Sequence, residues 1–546
     1  MSLLFHLTKR DRHNIEAFKK LYFYKKNTMR YYYSLLSLLL ILLVSSCRND
    51  FETTPSSGDL RFSKDTVYLD TVFTNIGSST YNLKVYNRSD DAISIPSVQL
   101  ARGQNSNYRL NVDGVPGRVF EEVEILANDS IFIFIETTVD IAEQTSDEDE
   151  FLYTDAIEFD TGANAQRVEL VTLVKDAIFL FPDRDGTTGI VETLNVNDVQ
   201  TNIQGRYLLD DELRFTADKP YVIYGYMAVG DPINESAKTL TIDPGARIHV
   251  HADSGIIVTN NASIQANGSL SSDPELLENE IIFEGDRLEP IFADVPGQWG
   301  TILLTEGSVN NRFSYTTIKN STVGILNESN TDTTNPNLSL ANVQIYNSSA
   351  VGLINRFSKV DAFNTVINNA GQFSLLIQFG GIYNFNHCTI TNYWAQGART
   401  TPAVFIDNTI LSGDTLFVAP LDANFTNSII YGRNREELFF NRDEDAPFEY
   451  TFTNSLIRFD NANGSFDDSP FHDFSNTSNY DTVIISQDPN FFDARNNKLF
   501  IEDTSPANGQ GDLNTALQFP LDIRGVDRTT APDLGAYESS PFPDMD

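Results

Sequence analysis

Asn364-Thr365-Val366-Ile367-Asn368-Asn369 returns, 23 residues later, as His387-Cys388-Thr389-Ile390-Thr391-Asn392, and again as Asn427-Ser428-Ile429-Ile430 and Asn454-Ser455-Leu456-Ile457. Aligned on one aliphatic position, the run reads Ile318, Ile345, Ile367, Ile390, Leu411, Ile430 and Ile457. The separations are 27, 22, 23, 21, 19 and 27 residues. Self-similarity at such a period marks a stacked repeat, and it takes precedence over local motifs.

The columns beside that anchor carry the physics. Two residues earlier stand Val343, Thr365, Cys388, Thr409, Ser428 and Ser455. Positions two apart in a strand face one side, so a small residue and an aliphatic point inward together. One residue further back stand Asn342, Asn364, His387, Asn408, Asn427 and Asn454; two after the anchor stand Asn320, Asn347, Asn369 and Asn392. Asparagine tolerates left-handed turns, and stacked amides hydrogen-bond from one repeat to the next, satisfying polar groups at buried corners. The expected fold is all-β: a right-handed parallel β-helix, or solenoid, over 238–510, with Leu240–Gly245 and Ile256–Val258 as early coils. The ladder reading makes Ser428, Ser455 and Thr409 stack members rather than nucleophiles. Cys388 becomes an inert buried thiol, and His387 a corner hydrogen-bonding group rather than a base.

The tail carries Asp488-Pro489-Asn490-Phe491, Ser505-Pro506-Ala507, Pro520-Leu521-Asp522-Ile523-Arg524-Gly525 and Pro532-Asp533-Leu534-Gly535-Ala536-Tyr537-Glu538. This resembles the C-terminal signature of bacterial right-handed β-helix proteins that use varied anchors. The resemblance implies a surface or secreted location without a fixed activity. Residues 511–546 are expected to form a cap and tail, since the open end of a stack exposes unpaired strand edges.

At 546 residues the chain is too long for one ordinary core. From 59 to 177, short alternating runs such as Thr66–Phe73, Tyr81–Tyr86 and Ile131–Val139 are separated by turn signals. That spacing predicts an antiparallel sandwich. Asp65-Thr66-Val67-Tyr68-Leu69-Asp70-Thr71-Val72-Phe73, Gly77 and Leu83-Lys84-Val85-Tyr86-Asn87 resemble immunoglobulin-like domains of the abnormal-spindle and hydin type. Such domains space or present other modules. Residues 178–237 then read as a connecting β segment.

The N-terminus reads as an address. Lys25, Lys26 and Arg30 precede the apolar run Tyr32–Val44, and small residues follow it, as in a secretory signal over 1–46; Met29 is an alternative start. Thirteen positions are short for a transmembrane helix. Leu42-Leu43-Val44-Ser45-Ser46-Cys47 resembles the bacterial lipobox, which implies lipidation of Cys47 and cleavage before it. Arg48-Asn49-Asp50-Phe51-Glu52 resembles the acidic motif that sends lipoproteins to the cell surface, with a periplasm-facing anchor the alternative. Residues 47–58 read as a lipidated tether. Localisation is therefore expected at the outer membrane, through the lipid anchor.

The formal charge is -37; 1–46 hold eight of the 38 basic and two of the 75 acidic residues, so cleavage leaves 30 against 73. Such a surface repels nucleic acid and bare polyanions. With Cys47 lipidated, Cys388 has no partner and no disulfide framework exists. Asp140–Glu150 and Asp183-Arg184-Asp185-Gly186 are fragments of calcium-loop chemistry. A solvated loop is the simpler reading, so no cofactor is required and Ca2+ is the one candidate. His249-x-His251 puts two imidazoles on one strand face, without a third metal ligand nearby.

Insertions in a stacked repeat gather on one face. Here they are Glu328–Asn337, Trp394–Pro402, Gly432–Phe448 and Asp460–Tyr480. Their Trp394, Arg399, Tyr431, Arg433 and Arg435 are the ligand-binding candidates, because aromatic faces stack on sugars and guanidinium forks grip carboxylates. The simpler alternative pairs Arg433, Arg435 and Arg442 with Glu436, Glu437, Asp443 and Glu444. Three functions follow: a non-catalytic envelope protein binding polysaccharide, a polysaccharide lyase or glycosidase at that edge, or a structural partner of an outer-membrane complex. Catalysis is the weaker reading, because Asp361 and Asp407 fall in different columns and no stacked Asp columns appear.

Overall fold

A computed structural model describes residues 52–144, 150–232, 236–328 and 334–543. The expected signal segment, Cys47 with the residues up to Phe51, and residues 145–149 of the acidic stretch lie outside these. The protein is all-β: the described residues hold one four-residue α-helix, Leu513–Ala516, and a few single 3-10 turns. Two compact units are present.

The first unit contributes a five-stranded antiparallel sheet and most of a six-stranded one. Tyr81–Tyr86 pairs with Ser130–Thr137, which pairs with Tyr108–Val112. Strict alternation buries Leu83, Val85, Ile131, Ile133 and Ile135 on one face. Phe62 and Phe159, one from each sheet, meet at 4.8 Å between ring centroids. The tether reading needs correction at its end. Thr54–Pro55 pairs in parallel with Ile93–Ser94, and Ser56 is buried with its Oγ donating to Asp160 Oδ2 at 2.6 Å. A threonine–proline pair has few backbone donors to offer, which is why it reads as linker yet suits a sheet edge.

The second unit contains one continuous 27-stranded sheet in which each strand pairs with strands about one repeat away. It starts at Ile178–Leu180, paired in parallel with Tyr221–Ile223, which pairs in turn with Ile248–Val250. Residues 178–237 are thus part of the stack rather than a connector, apart from the hairpin of Thr193–Val196 with Val199–Gln204. The last paired strands are Tyr480–Asp481 and Ile484–Ile485, so the stack stops short of 510.

Register follows the aliphatic anchors. Phe283, Ile318, Ile345, Ile367 and Ile390 are successive partners, followed by Ile430, Ile457 and Ile485. Each buried aliphatic contributes about 1.5–3 kcal/mol, and a one-residue slip would turn the whole column outward. Phe385, Phe425, Phe452 and Tyr480 stack likewise, with centroids 5.0, 4.8 and 5.5 Å apart and planes within 11° of parallel.

Leu411 does not belong to this column. Ile390 pairs directly with Ile430, and Thr409–Ser412 folds with Thr415–Val418 into a separate antiparallel hairpin, leaving Leu411 67% exposed. Asn408 and Thr409 leave the ladder with it. Asn408 exchanges two hydrogen bonds with the Asp443 backbone, and Thr409 donates to Asp407 Oδ1. The physical reason is Gly413, whose φ of +59° turns the chain within an insertion of the same alternation as a strand.

The remaining ladder positions Asn342, Asn364, His387, Asn427 and Asn454 all have positive φ, between 44° and 57°. Asn364 Nδ2 donates to Asn342 Oδ1 at 2.8 Å. On the other side of the anchors, Asn347 donates to Asn320 at 3.3 Å.

The tail does not cap the end of the stack. It runs along its flank across these turns: Asn364 donates to Leu521 O, Asn427 to Asp512 O, and Asn454 to Gln510 O. Gly535 N donates to Asn427 O at 2.7 Å. A Cβ on Gly535 would come within 2.6 Å of Thr389 Oγ1, so only glycine permits the approach. The end is covered instead by the Asp460–Tyr480 insertion, expected to project as a ligand loop. Phe466, Phe471 and Phe474 pack on the last core layer, and Tyr450 and Tyr480 donate to Phe471 O. Apolar side chains in that insertion have nowhere else to be buried.

Candidate functional site

The outward face of the sheet carries a groove of about 510 Å³. Its floor is built by parallel register across Asn311–Lys319, Leu338–Ser348, Val351–Phe363, Leu375–Asn386 and Leu421–Thr426. Arg312, Ser339, Asp361, Asn384 and Asn424 are successive partners, one per strand. Two residues further along, Ala341, Phe363, Asn386 and Thr426 form a second column. Alternation turns both columns outward while Leu340, Ala362, Phe385 and Phe425 point into the core.

One wall is aromatic. Phe519, from the tail, stacks on Phe363 with centroids 4.6 Å apart and planes 27° apart. Part of the floor is tied internally. Asn384 donates to Asp361 Oδ1 at 2.8 Å, Asn424 to Asp422 Oδ1 at 2.9 Å, and Thr451 Oγ1 to Asn424 Oδ1 at 2.6 Å. The side chains of Arg312, Ser339, Asn386 and Thr426 make no hydrogen bond or ion pair among the described residues. The floor therefore offers a cation, two hydroxyls and an amide at strand intervals of about 4.8 Å. Asp407, the other carboxylate considered, is on neither column. It is buried on Val404–Asp407, accepting from Thr409 and Asn441, and burial raises its pKa.

The five loop candidates do not assemble a site. Arg399 and Glu437 form a buried fork at 2.9 and 2.6 Å, with side chains 3% and 0% exposed. Glu437 also accepts from the backbone N–H groups of Ala403 and Asn434 at 2.7 and 2.8 Å. Burial pushes its carboxyl upward against the pull of Arg399. Tyr431 is buried beside Ile429 and Leu456, its hydroxyl accepting from Arg458 at 3.3 Å. Arg435 grips Asp460 at 3.1 and 2.9 Å, while Arg433 donates to the Trp394 carbonyl at 3.1 Å. Of the pairings anticipated, only Arg442 with Glu444 is formed, at 3.7 Å. The Gly432–Phe448 insertion supplies a strand, Leu438–Asn441, paired with Val404–Asp407. Arg399 and Tyr431 are thus held away from any ligand because their loops close over the flank of the stack.

The two histidines of the His249-x-His251 strand each meet a carboxylate one repeat on. His249 Nδ1 is 3.7 Å from Glu284 Oε1, and His251 Nδ1 is 2.7 Å from Asp286 Oδ2. Burial pushes the His249 imidazole down. No group of three or more His, Cys, Asp or Glu suited to a metal occurs among the described residues. Asp185 accepts from Thr187 and Thr188 N–H at 2.8 and 2.7 Å, forming an Asx turn within the Asp183–Gly186 segment.

A second polar cluster lies between tail and ladder. Arg528 is buried with Asp522, Asp533 and Glu538. Arg524 adds a second cation, 3.5 Å from Asp522, so two cations face three carboxylates, and burial together with Asp533 raises Glu538 to about 7. Neighbouring His387 is driven down to about 2 by burial and by Arg528. Burial raises the Cys388 thiol to about 12.

No known protein family matches the chain, and no curated protein does. Solved structures with partial likeness include a family 123 glycoside hydrolase from Clostridium perfringens, at 10% identity over 27% of this chain and 30% of that one, TM-score 0.16. The periplasmic chaperone SfaE matches at 14% over 21% and 57%, TM-score 0.15. The E. coli chaperone DraB matches at 15% over 23% and 58%, TM-score 0.16. The chain spans less than two thirds of each, and likeness at this level carries no functional argument.

Proposed function

We propose that the chain is a lipid-anchored envelope protein of the outer membrane, displayed at the cell surface, in which a right-handed parallel β-helix holds polysaccharide without cleaving it. An immunoglobulin-like sandwich serves as its spacer. The lipobox ending at Cys47 and the acidic residues after it support the address. The parallel, in-register pairing of strands one repeat apart supports the helix. The observation that carries the function is the groove floor. Arg312, Ser339, Asn386 and Thr426 are polar side chains without a partner among the described residues, ranked along strands beside the stacked Phe363 and Phe519. A run of hydroxyls on a sugar chain is the chemistry such a floor satisfies, while an aromatic wall accepts a pyranose C–H face.

Binding is favoured over hydrolysis or elimination by one feature. Asp361 is the only carboxylate among the lining residues and is bonded to Asn384, whereas a glycosidase sets two carboxylates across the bond. The test is a glycan array probed with residues 48–546, with and without calcium, beside an Asn386→Ala/Thr426→Ala variant. Retention by the native chain and its loss in the variant is the expected result. Release of reducing or unsaturated sugar would replace binding with glycosidase or lyase activity. No retention of any glycan would favour a structural partner of an outer-membrane complex.

A further inference from the structure

We infer that the glycan held in this groove carries an isolated carboxylate, a uronic acid within an otherwise neutral chain, and that Arg312 receives it. The inference rests on the polysaccharide reading and specifies its substrate class. Arg312 is the only cation among the groove-lining residues, and it is exposed. Its guanidinium has no hydrogen bond or ion pair among the described residues. Other arginines of this region are engaged: Arg356 with Glu328, Arg399 with Glu437, Arg435 with Asp460. An arginine left open beside two uncommitted hydroxyls and one uncommitted amide offers a planar fork that matches a carboxylate in two parallel hydrogen bonds.

Position sets how much negative charge the ligand carries. Arg312 pairs with Ser339, and Ser339 with Asp361. Asp361 is therefore two strand spacings away, roughly 10 Å, beyond a Debye length of about 8 Å at physiological salt. One ligand carboxylate on Arg312 escapes most of that repulsion. A second, further along the floor, would face Asp361 directly. The chain's net charge of -37 acts against dense polyanions in the same sense. A sparsely acidic chain fits, with its uronate over Arg312 and neutral sugars over Ser339, Asn386 and Thr426.

The experiment measures binding of the mature chain to acidic glycans, each beside its carboxyl-reduced form. Glucuronoxylan represents sparse charge and polygalacturonate dense charge, and an Arg312→Gln variant is run in parallel. The expected result is preference for glucuronoxylan over its reduced form by about tenfold or more. Arg312→Gln abolishes that preference, whatever it does to binding of the reduced form, and polygalacturonate is retained less well than glucuronoxylan. Equal retention of acidic and reduced forms, with Arg312→Gln silent, overturns the inference and leaves the groove reading intact. Retention of none overturns both.

Discussion

Asn427 Nδ2 lies 2.9 Å from His387 Nε2, one repeat away, so an amide donates to an imidazole where amide meets amide elsewhere in the column. That contact makes Nε2 the acceptor and places the ring proton on Nδ1. With its folded pKa near 2, His387 stays neutral while the unfolded chain takes up a proton near 6.5. Stability linked to this residue is complete above pH 6.5 and is lost progressively as pH falls towards 2, by roughly 2 kcal/mol at pH 5. His387→Asn is expected to flatten the fall in melting temperature between pH 7 and pH 4. Parallel curves for the two proteins would refute the assignment.

Glu538 works in the opposite direction. Its folded pKa of about 7 lies above the ordinary 4.5, so its contribution is complete below pH 4.5 and disappears as pH rises through 7. Glu538→Gln mimics the protonated form. Hydrogen exchange of residues 520–540 should quicken from pH 5 to pH 8 in the native chain and change less in the variant. An unchanged pH dependence in the variant would show that Asp522 and Asp533 set it instead.

For the Arg399–Glu437 fork, removing one partner leaves a buried charge unpaired. Glu437→Leu and Arg399→Leu should each cost about 3–5 kcal/mol alone, and the double variant distinctly less than their sum. Urea denaturation of the three proteins measures this. A double variant as unstable as the sum of the singles would contradict the account.

Leu411 and Ile430 provide a direct comparison of hairpin and stack. Leu411→Ala should change stability by less than about 0.5 kcal/mol, whereas Ile430→Ala should cost about 2–5 kcal/mol. Thermal melts of the two variants decide it, and a comparable loss for Leu411→Ala would return that residue to the core.

What could be read in the chain was what is encoded locally. The inward aliphatics from Ile318 to Ile457 follow from strand alternation, and Asn342, Asn364 and Asn427 from left-handed turns, each within a few residues. Thr409–Ser412 misled because a hairpin strand and a stack strand share the same alternation; the tell-tale was the turn pair Gly413-Asp414, followed directly by Thr415-Leu416-Phe417-Val418. The groove was hidden for a different reason. Arg312, Ser339 and Asn386 become neighbours only through pairing across repeats, and Phe519 arrives from more than 150 residues beyond Phe363. Arg399 looked free because its acceptor, Glu437, lies 38 residues away.

The flank position of the tail changes how the whole array should come apart. In a one-dimensional row of repeats, each unit touches only its neighbours, and fraying at an end proceeds unit by unit. Here one segment is fastened at Asn364, Asn427 and Asn454 together. Losing any of these turns loosens the same strap on the others, so this stretch melts as a block and not in Ising-like steps. During synthesis those coils leave the ribosome before the segment that binds them, which makes arrival of residues 510–535 the step that locks the nascent chain.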